Sequence, residues 1–228
     1  MTERTPQNGD ASDPKQAGPA GAAEVVVARI GQARATAILR TARAEIIAPA
    51  MEAAIRGGFR VVEFTLTTPG ALDQIRCFSR REGLLVGAGT VLGVDQVGAA
   101  VDAGARFLVS PVVDRDVIAE ACRREVVMIP GTHTPTEMLA AYEAGAPLQK
   151  LFPAPVNGPA YVRAVLGPLP FLRIVPTSGV DATNAAAFLA AGAFAVGFVN
   201  PLFDPADLEQ RRFDSIEARA RQLLAAVG

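Results

Sequence analysis

Tryptophan is absent from the 228 residues, histidine occurs once, at His133, and cysteine twice, at Cys77 and Cys122. Zinc and other soft-metal centres need clusters of Cys and His, so this inventory excludes the usual metal sites, and no metal is expected. The two cysteines have no motif spacing, which fits a reducing, cytoplasmic setting; both read as small, buried or half-buried residues of the helices that hold them. Charge of one sign is also lacking: 22 Lys and Arg balance 23 Asp and Glu. No Lys/Arg-rich run appears, so neither a nucleic-acid partner nor a membrane surface is expected. Every apolar run is broken by Gly, Pro or charge short of the roughly 18 residues that a membrane span requires.

What the sequence does have is apolar residues, half of the total, enough for the core of a single domain. Residues 1–22, rich in Pro, Gly, Asp and Gln, read as a disordered tail without the apolar stretch of a signal peptide. The domain then runs over 23–228. Short β-branched or apolar runs start at Thr36, Val61, Leu85, Phe107, Val127, Gln149, Leu172 and Ala195, spaced by about 20 to 25 residues. Ala-rich amphipathic segments lie between them, and Gly57-Gly58, Gly104, Gly145 and Gly192 stand where helices must stop. Strand and helix alternating eight times predict an α/β fold, a (β/α)8 TIM barrel, with Glu24 to Arg34 as an additional N-terminal helix across its bottom. A doubly wound sheet would carry a glycine-rich fingerprint after its first strand, and Arg40-Thr41-Ala42-Arg43 has no glycine.

Two charges interrupt strands that should be buried on both faces: Glu63 in VVEFTL and Lys150 in LQKLF. Both belong to even-numbered strands, and alternate strands fill common layers of a barrel interior, so the two can face each other. A buried ion pair, or two side chains turned outward beneath helices, is the purely structural alternative. The chemical reading is a Schiff base. A lysine attacks a ketone only as the free amine, and an apolar interior favours that form; a nearby carboxylate can then carry protons. Arg40 ends the first strand, on the rim where catalytic loops gather, and its fork suits a carboxylate or phosphate. His133, in GTHTP on the same rim, is either a substrate contact or an idle loop residue. Asp114 and Asp116 open a helix and read as its caps.

Read with their neighbours, these residues resemble the 2-keto-3-deoxy-6-phosphogluconate and 4-hydroxy-2-oxoglutarate aldolases. The likeness runs from about Ile38 to Phe203 through GGFRVVEFTLTTPGA, VGAGTV, FLVSP, IPGTHTPTE, KLFPAPVNGPAYVRAVLGPLP and PTSGV. The resemblance implies Lys150 as the imine-forming nucleophile and Glu63 as the proton shuttle. It also implies Thr90 at the pyruvate carboxylate, with Pro111, Phe152 and Thr177 around the substrate. It implies no cofactor, a small keto-acid substrate and a homotrimer, for which Phe78, Phe188 and Phe194 give only ambiguous support. Many relatives have arginine where Thr67 stands. In place of the usual P-T-G-G this chain has P-T-S-G, in which the Ser178 hydroxyl and the Gly179 amide still read as substrate-binding, whereas the usual Gly-Ser is replaced by Phe198-Val199-Asn200-Pro201, and Pro201 has no N–H to offer. The expected reaction is cleavage of the phosphogluconate-type substrate to pyruvate and an aldehyde such as glyceraldehyde 3-phosphate. Non-phosphorylated 4-hydroxy-2-oxoglutarate is the alternative substrate, and a non-catalytic binding protein on the same scaffold is the alternative class.

Overall fold

The computed structural model describes residues 19–228. Strands and helices alternate as the sequence rhythm requires: β1 (Ala35–Leu39), β2 (Val61–Thr65), β3 (Leu85–Gly89), β4 (Phe107–Val109), β5 (Val127–Ile129), β6 (Gly131–Thr132), β7 (Gln149–Leu151), β8 (Ile174–Pro176) and β9 (Val196–Phe198). Each of the eight expected strands begins within two residues of its predicted start. The helices are α1 (Pro19–Ala33), α2 (Ile47–Arg56), α3 (Ala71–Phe78), α4 (Val94–Asp102), α5 (Arg115–Arg123), α6 (Pro135–Glu143), α7 (Gly158–Leu166), α8 (Ala185–Ala190), α9 (Pro205–Glu209) and α10 (Phe213–Ala225). Helix α1 begins inside the stretch read as a tail, so that boundary is corrected for residues 19–22; the expectation for 1–18 lies outside the described residues.

All strand pairs are parallel, in a six-stranded sheet ordered β5-β4-β3-β2-β1-β9 and a three-stranded sheet ordered β6-β7-β8. The expected single ring of eight thus appears as two sheets, because the fifth strand is divided at Pro130. Proline has no N–H for a ladder, so the segment before it pairs with β4 and the segment after it with β7. The Pro130 carbonyl still accepts from Lys150 N at 2.9 Å. On the far side, Thr177 and Gly197 form a parallel bridge, and Phe194 N donates to the Ile174 carbonyl at 2.8 Å, so β8 lies against β9.

Side-chain direction follows the period of two that strands impose. Ala35, Ala37, Leu39, Val62, Phe64, Val86, Ala88, Leu108 and Met128 turn outward and pack with the helices. Val61, Leu85, Phe107, Val109, Val127, Ile129 and Val175 turn inward, into a second core that Val26, Val27 and Ile30 of α1 close from below. Six phenylalanines, at 59, 64, 78, 107, 188 and 198, are wholly buried; each contributes about 1.5–3 kcal/mol relative to exposure. Phe78 and Phe188 are therefore core residues and offer no contact surface, whereas Phe194 is half-buried.

Helix ends carry the predicted punctuation. Gly104 has φ 104° and Gly145 φ 103°, a left-handed conformation open to glycine at little cost. In both turns the following N–H reaches back five residues, Ala105 to Ala100 at 3.0 Å and Ala146 to Ala141 at 3.0 Å. Asp114 caps α5, accepting from Asp116 N and Val117 N. Thr134 and Glu137 form a capping box at α6. Helix α9 was not expected; Asp204 caps its first turn and Pro205 opens it. The buried Asp207 in α9 pairs with Arg212 and Arg219, which ties this short helix to α10. Both cysteines are exposed and free, contrary to the expected burial. The inner face of α3 is made by Ile75 and Phe78 and that of α5 by Ile118 and Ala121, so Cys77 and Cys122 fall on the outer sides. No helix of the described residues is long and apolar enough to cross a membrane.

Candidate active site

Glu63 is the middle residue of β2 and faces inward with Val61 and Thr65; Lys150, the middle residue of β7, faces inward after Leu148. Glu63 is 2% and Lys150 7% exposed. Both line one interior cavity of about 20 Å³, together with Phe107, Val109, Ile129 and Thr177. The register of three strands fixes the lysine backbone, for Lys150 pairs with Gly131 on one side and Val175 on the other. Thr132 Oγ1 also donates to the Lys150 carbonyl at 3.0 Å. The room for the Glu63 carboxylate comes from Gly89 on β3: a Cβ there would overlap Oε1 and stand 2.7 Å from the carboxyl carbon.

Burial dominates the electrostatics of both groups. Desolvation pushes the Glu63 carboxyl above the ordinary carboxylate range, with Lys150 and Arg40 pulling it back. Desolvation likewise holds Lys150 below the ordinary ammonium range; Glu63 opposes this and Arg40 adds to it. Each is thereby moved towards its neutral form, as proton exchange near neutral pH demands. Among the described residues no ion pair within 4 Å joins them, so the simple buried salt bridge is not what the strands hold. Lys150 Nζ lies 4.8 Å from the centroid of the Phe152 ring, within cation–π range.

The other expected residues surround this pair at the C-terminal strand ends. Arg40, exposed just after β1, donates from Nη2 to Thr90 Oγ1 at 3.2 Å. Thr90 follows β3 with φ 59°, a left-handed conformation that costs a β-branched residue energy. Pro111 is pressed against β6: a Cβ on Gly131 would stand 2.8 Å from the Pro111 Cα, so that glycine permits the close approach. Thr177 is buried at the end of β8. Ser178 and Gly179 follow with φ 63° and 93°, and the carbonyls of Thr177 and Ser178 both accept from Ala154 N. Asn184 Nδ2 donates to the Gly179 carbonyl at 2.8 Å, which tethers the loop. After β9, the Val199 carbonyl accepts from Leu202 N at 3.1 Å and Phe203 N at 2.8 Å, so those two N–H groups serve the turn itself.

His133 is exposed on the rim, its ring 6.4 Å from that of Tyr161 at 21°. Its N–H donates to Glu137 Oε2 at 2.7 Å and its carbonyl accepts from Tyr161 OH at 2.6 Å. One cluster was not foreseen. Thr65 Oγ1 is 3.0 Å from Thr68 Oγ1, Thr67 Oγ1 donates to Thr65 Oγ1 at 3.3 Å, and Thr68 Oγ1 accepts from Thr41 N at 3.3 Å. These hydroxyls bind the loop after β2 to the loop after β1, beside Glu63. The signal was the run T-L-T-T, whose spacing puts Thr65 on the face that Glu63 occupies.

Comparison with known proteins follows the same lines. The family model for KDPG and KHG aldolase, the enzymes of 2-keto-3-deoxy-6-phosphogluconate and 4-hydroxy-2-oxoglutarate, matches residues 26–219. The chain is 38% identical over 189 residues to a probable 2-dehydro-3-deoxy-6-phosphogalactonate aldolase of Rhizobium meliloti, covering 80% of this chain and 89% of that protein. It is 39% identical over 161 residues to the 2-dehydro-3-deoxy-phosphogluconate aldolase of Pseudomonas aeruginosa, covering 70% and 73%. Among solved structures, the KDPG aldolase of Legionella pneumophila, with pyruvate captured at low pH as a covalent carbinolamine intermediate, superposes with a TM-score of 0.79 at 26% identity. That superposition covers 87% of this chain and 97% of the other. A match of this extent shows that the chain belongs to the KDPG and KHG aldolase family, whose named members are carbon–carbon lyases.

Proposed function

We propose that the protein is a class I aldolase that cleaves 2-keto-3-deoxy-6-phosphogluconate, or a closely related 4-hydroxy-2-keto acid, to pyruvate and an aldehyde. The observation that carries this reading is a single one: the two charges buried in the strands line the same interior cavity. The scaffold for it is a closed (β/α)8 barrel in which β5 and β6 count as one strand, with α1 beneath. The Pro130–Lys150 hydrogen bond and the Thr177–Gly197 bridge support that closure.

At pH 7 an exposed lysine is free amine in only about one molecule in a few thousand. Burial raises that fraction for Lys150, whose Nζ attacks the C2 ketone to give a carbinolamine. Glu63 supplies the proton with which the carbinolamine oxygen leaves as water, and the protonated imine remains. The Glu63 carboxylate, ionised in that step, takes the proton of the C4 hydroxyl. The C3–C4 bond then breaks, its electron pair passes to the imine nitrogen as an enamine, and the C4 fragment leaves as the aldehyde. Glu63 returns its proton to C3; water then adds to the pyruvate imine, Glu63 takes up the proton released, and pyruvate and the free amine of Lys150 are regenerated. No metal or organic cofactor is needed, because the imine is the electron sink. Thr90 and Arg40 grip the keto-acid carboxylate, Pro111, Phe152 and Thr177 shape the pocket around C3, and Ser178 and Gly179 meet the distal end of the substrate. The two free, exposed cysteines suit a reducing cytoplasm, and the working assembly is a homotrimer. Light scattering should give three times the chain mass of 23.7 kDa.

Incubation with pyruvate and borohydride should leave a reduced adduct on Lys150, located by peptide mass spectrometry. An unmodified lysine at high pyruvate would end the Schiff-base reading and favour a binding protein. The turn after β9 favours a second reading of the substrate, since Pro201 has no N–H and those of Leu202 and Phe203 are engaged. On that reading 4-hydroxy-2-oxoglutarate is preferred. Comparison of kcat/KM decides: an advantage below about tenfold for the phosphorylated substrate, worth under about 1.4 kcal/mol, would mean that no phosphate site operates.

A further inference from the structure

Thr36 is an inward-facing residue of β1 that the mechanism leaves unused. It pairs with Gly197 of β9, and Gly197 bridges to Thr177, the residue that follows β8. Two threonines thus flank one glycine at a single level of the interior. A Cβ on Gly197 would stand 2.6 Å from Thr177 Oγ1 and 2.8 Å from Ile38 Cδ1, so the glycine keeps the gap between the hydroxyls open. The gap belongs to the cavity of about 20 Å³ that Glu63 and Lys150 also line, with Ile30 of α1 at its base. Thr36 is 7% exposed and Thr177 2%. No fully buried side-chain nitrogen or oxygen among the described residues lacks a hydrogen-bond partner, so the Thr36 hydroxyl, which has no protein partner, keeps some accessible surface towards the cavity it lines. A single water needs about 10–15 Å³ and two to four polar partners. This cavity offers the volume and four candidates.

We propose that the cavity is a site for one ordered water, held by the Thr36 and Thr177 hydroxyls and hydrogen-bonded to the Glu63 and Lys150 end groups, which positions the catalytic pair from behind. The inference rests on the aldolase reading only for the roles of Glu63 and Lys150. The water site itself rests on the row Thr36, Gly197, Thr177. Thr36 is then a positioning residue, acting through the water. Glu63 and Lys150 are the titratable residues that line the cavity, and Arg40 acts on both from the rim. A water that donates to the Glu63 carboxylate favours its ionised form, against the desolvation that raises its pKa.

The test uses Thr36→Val, which keeps the shape and removes the hydroxyl, and Thr36→Ser, which keeps the hydroxyl. Solvent deuterium entering the methyl group of saturating pyruvate is followed against pH. In Thr36→Val the acid limb should move up by about 0.5 to 1 pH unit, the shift that one ordinary hydrogen bond produces. Thr36→Ser should retain the wild-type limb. A crystal structure of the wild-type enzyme should show one ordered water between the two threonines, and that of Thr36→Val none. A dry wild-type cavity overturns the proposal, as does an unmoved acid limb in a folded Thr36→Val enzyme. Complete absence of exchange in the wild type would overturn the aldolase reading instead, and the crystal structure would still decide whether the water is there.

Discussion

Replacing Gly89 by alanine should disable the enzyme by moving Glu63, although Gly89 has no reacting group of its own. Neither Gly89 nor its strand neighbour Gly87 has a positive φ, so alanine is allowed by the backbone at both. At Gly89 the new methyl would stand 2.7 Å from the Glu63 carboxyl carbon and overlap its Oε1. Ordinary contact between carbon atoms is about 3.5 Å or more, so the carboxyl group must retreat by about 1 Å. A misplacement of about 1 Å costs on the order of 100-fold in rate, or about 2.7 kcal/mol of barrier. Overpacking adds about 1–3 kcal/mol of instability, which lowers Tm by about 2–4 °C per kcal/mol in a domain of this size. Gly87→Ala is the matched control. Gly87 is the register partner of Glu63, but the atoms nearest its new methyl would be those of the Phe107 ring, with Cδ2 at 2.6 Å, and not the carboxylate. Deuterium exchange into pyruvate, measured with the melting temperature, should separate the two: Gly87→Ala loses stability and keeps most of its exchange, whereas Gly89→Ala loses both. Wild-type exchange in a folded Gly89→Ala would refute the assignment of Glu63 as the base and of Gly89 as its seat.

Other consequences can be measured directly. Because burial raises the Glu63 pKa above the ordinary carboxyl value of 4.5, the folded state binds a proton that the unfolded chain has released. This contribution is full below pH 4.5 and is lost as pH rises through the folded value. Urea midpoints should therefore show Glu63→Gln gaining on the wild type as pH rises from 4.5, and a constant difference would contradict the buried carboxyl. Thr134→Ala removes the hydroxyl half of the α6 capping box and should lower unfolding free energy by about 1 kcal/mol with the m-value unchanged. Both thiols should react with an aromatic disulfide reagent without denaturant, since both are exposed. Cys122 should be the slower at pH 8, because burial pushes its thiol up; a thiol that titrates only after unfolding would count against its placement.

Most of the fold was legible because strands buried on both faces are written as unbroken apolar runs, and the glycines that end helices stand outside those runs. The same rule exposed Glu63 and Lys150, since a charge in such a run is conspicuous without knowledge of what it faces. Features that depend on register were illegible. Gly89 reads as an ordinary strand glycine until the Glu63 side chain is seen to reach over it from the neighbouring strand, and Thr36 reads as a β-branched strand residue until Gly197 and Thr177 are placed beside it. Pro130 divides a strand in a way visible only when its two neighbours are known. Helix α9 has five residues, too few for a helical period to emerge. The cysteines were misjudged because burial was taken from residue type, whereas helix phase decides it.

The inner and outer cores answer to different demands. Outside the strands, helix and sheet meet mainly through aliphatic and aromatic side chains, with Gln149 and Ser110 as buried polar exceptions. Inside, alternate residues of β1, β2, β7 and β8 place Thr36, Glu63, Lys150 and Thr177 among Phe107, Val109, Ile129 and Val175. The β2 and β7 charges lie far apart in sequence and meet only because each occupies an inward position of its own strand. A shift of one residue in either register would turn its charge outward beneath a helix. The outward neighbours Val62, Phe64 and Leu151 are buried among the helices and set that register. The outer apolar core therefore specifies which way the two charged side chains face, and the desolvation that alters their protonation follows from the same choice. Strand parity thus divides the consequences: substitutions on the outward positions should act on folding alone, and those on the inward positions of β2 and β7 on proton transfer as well.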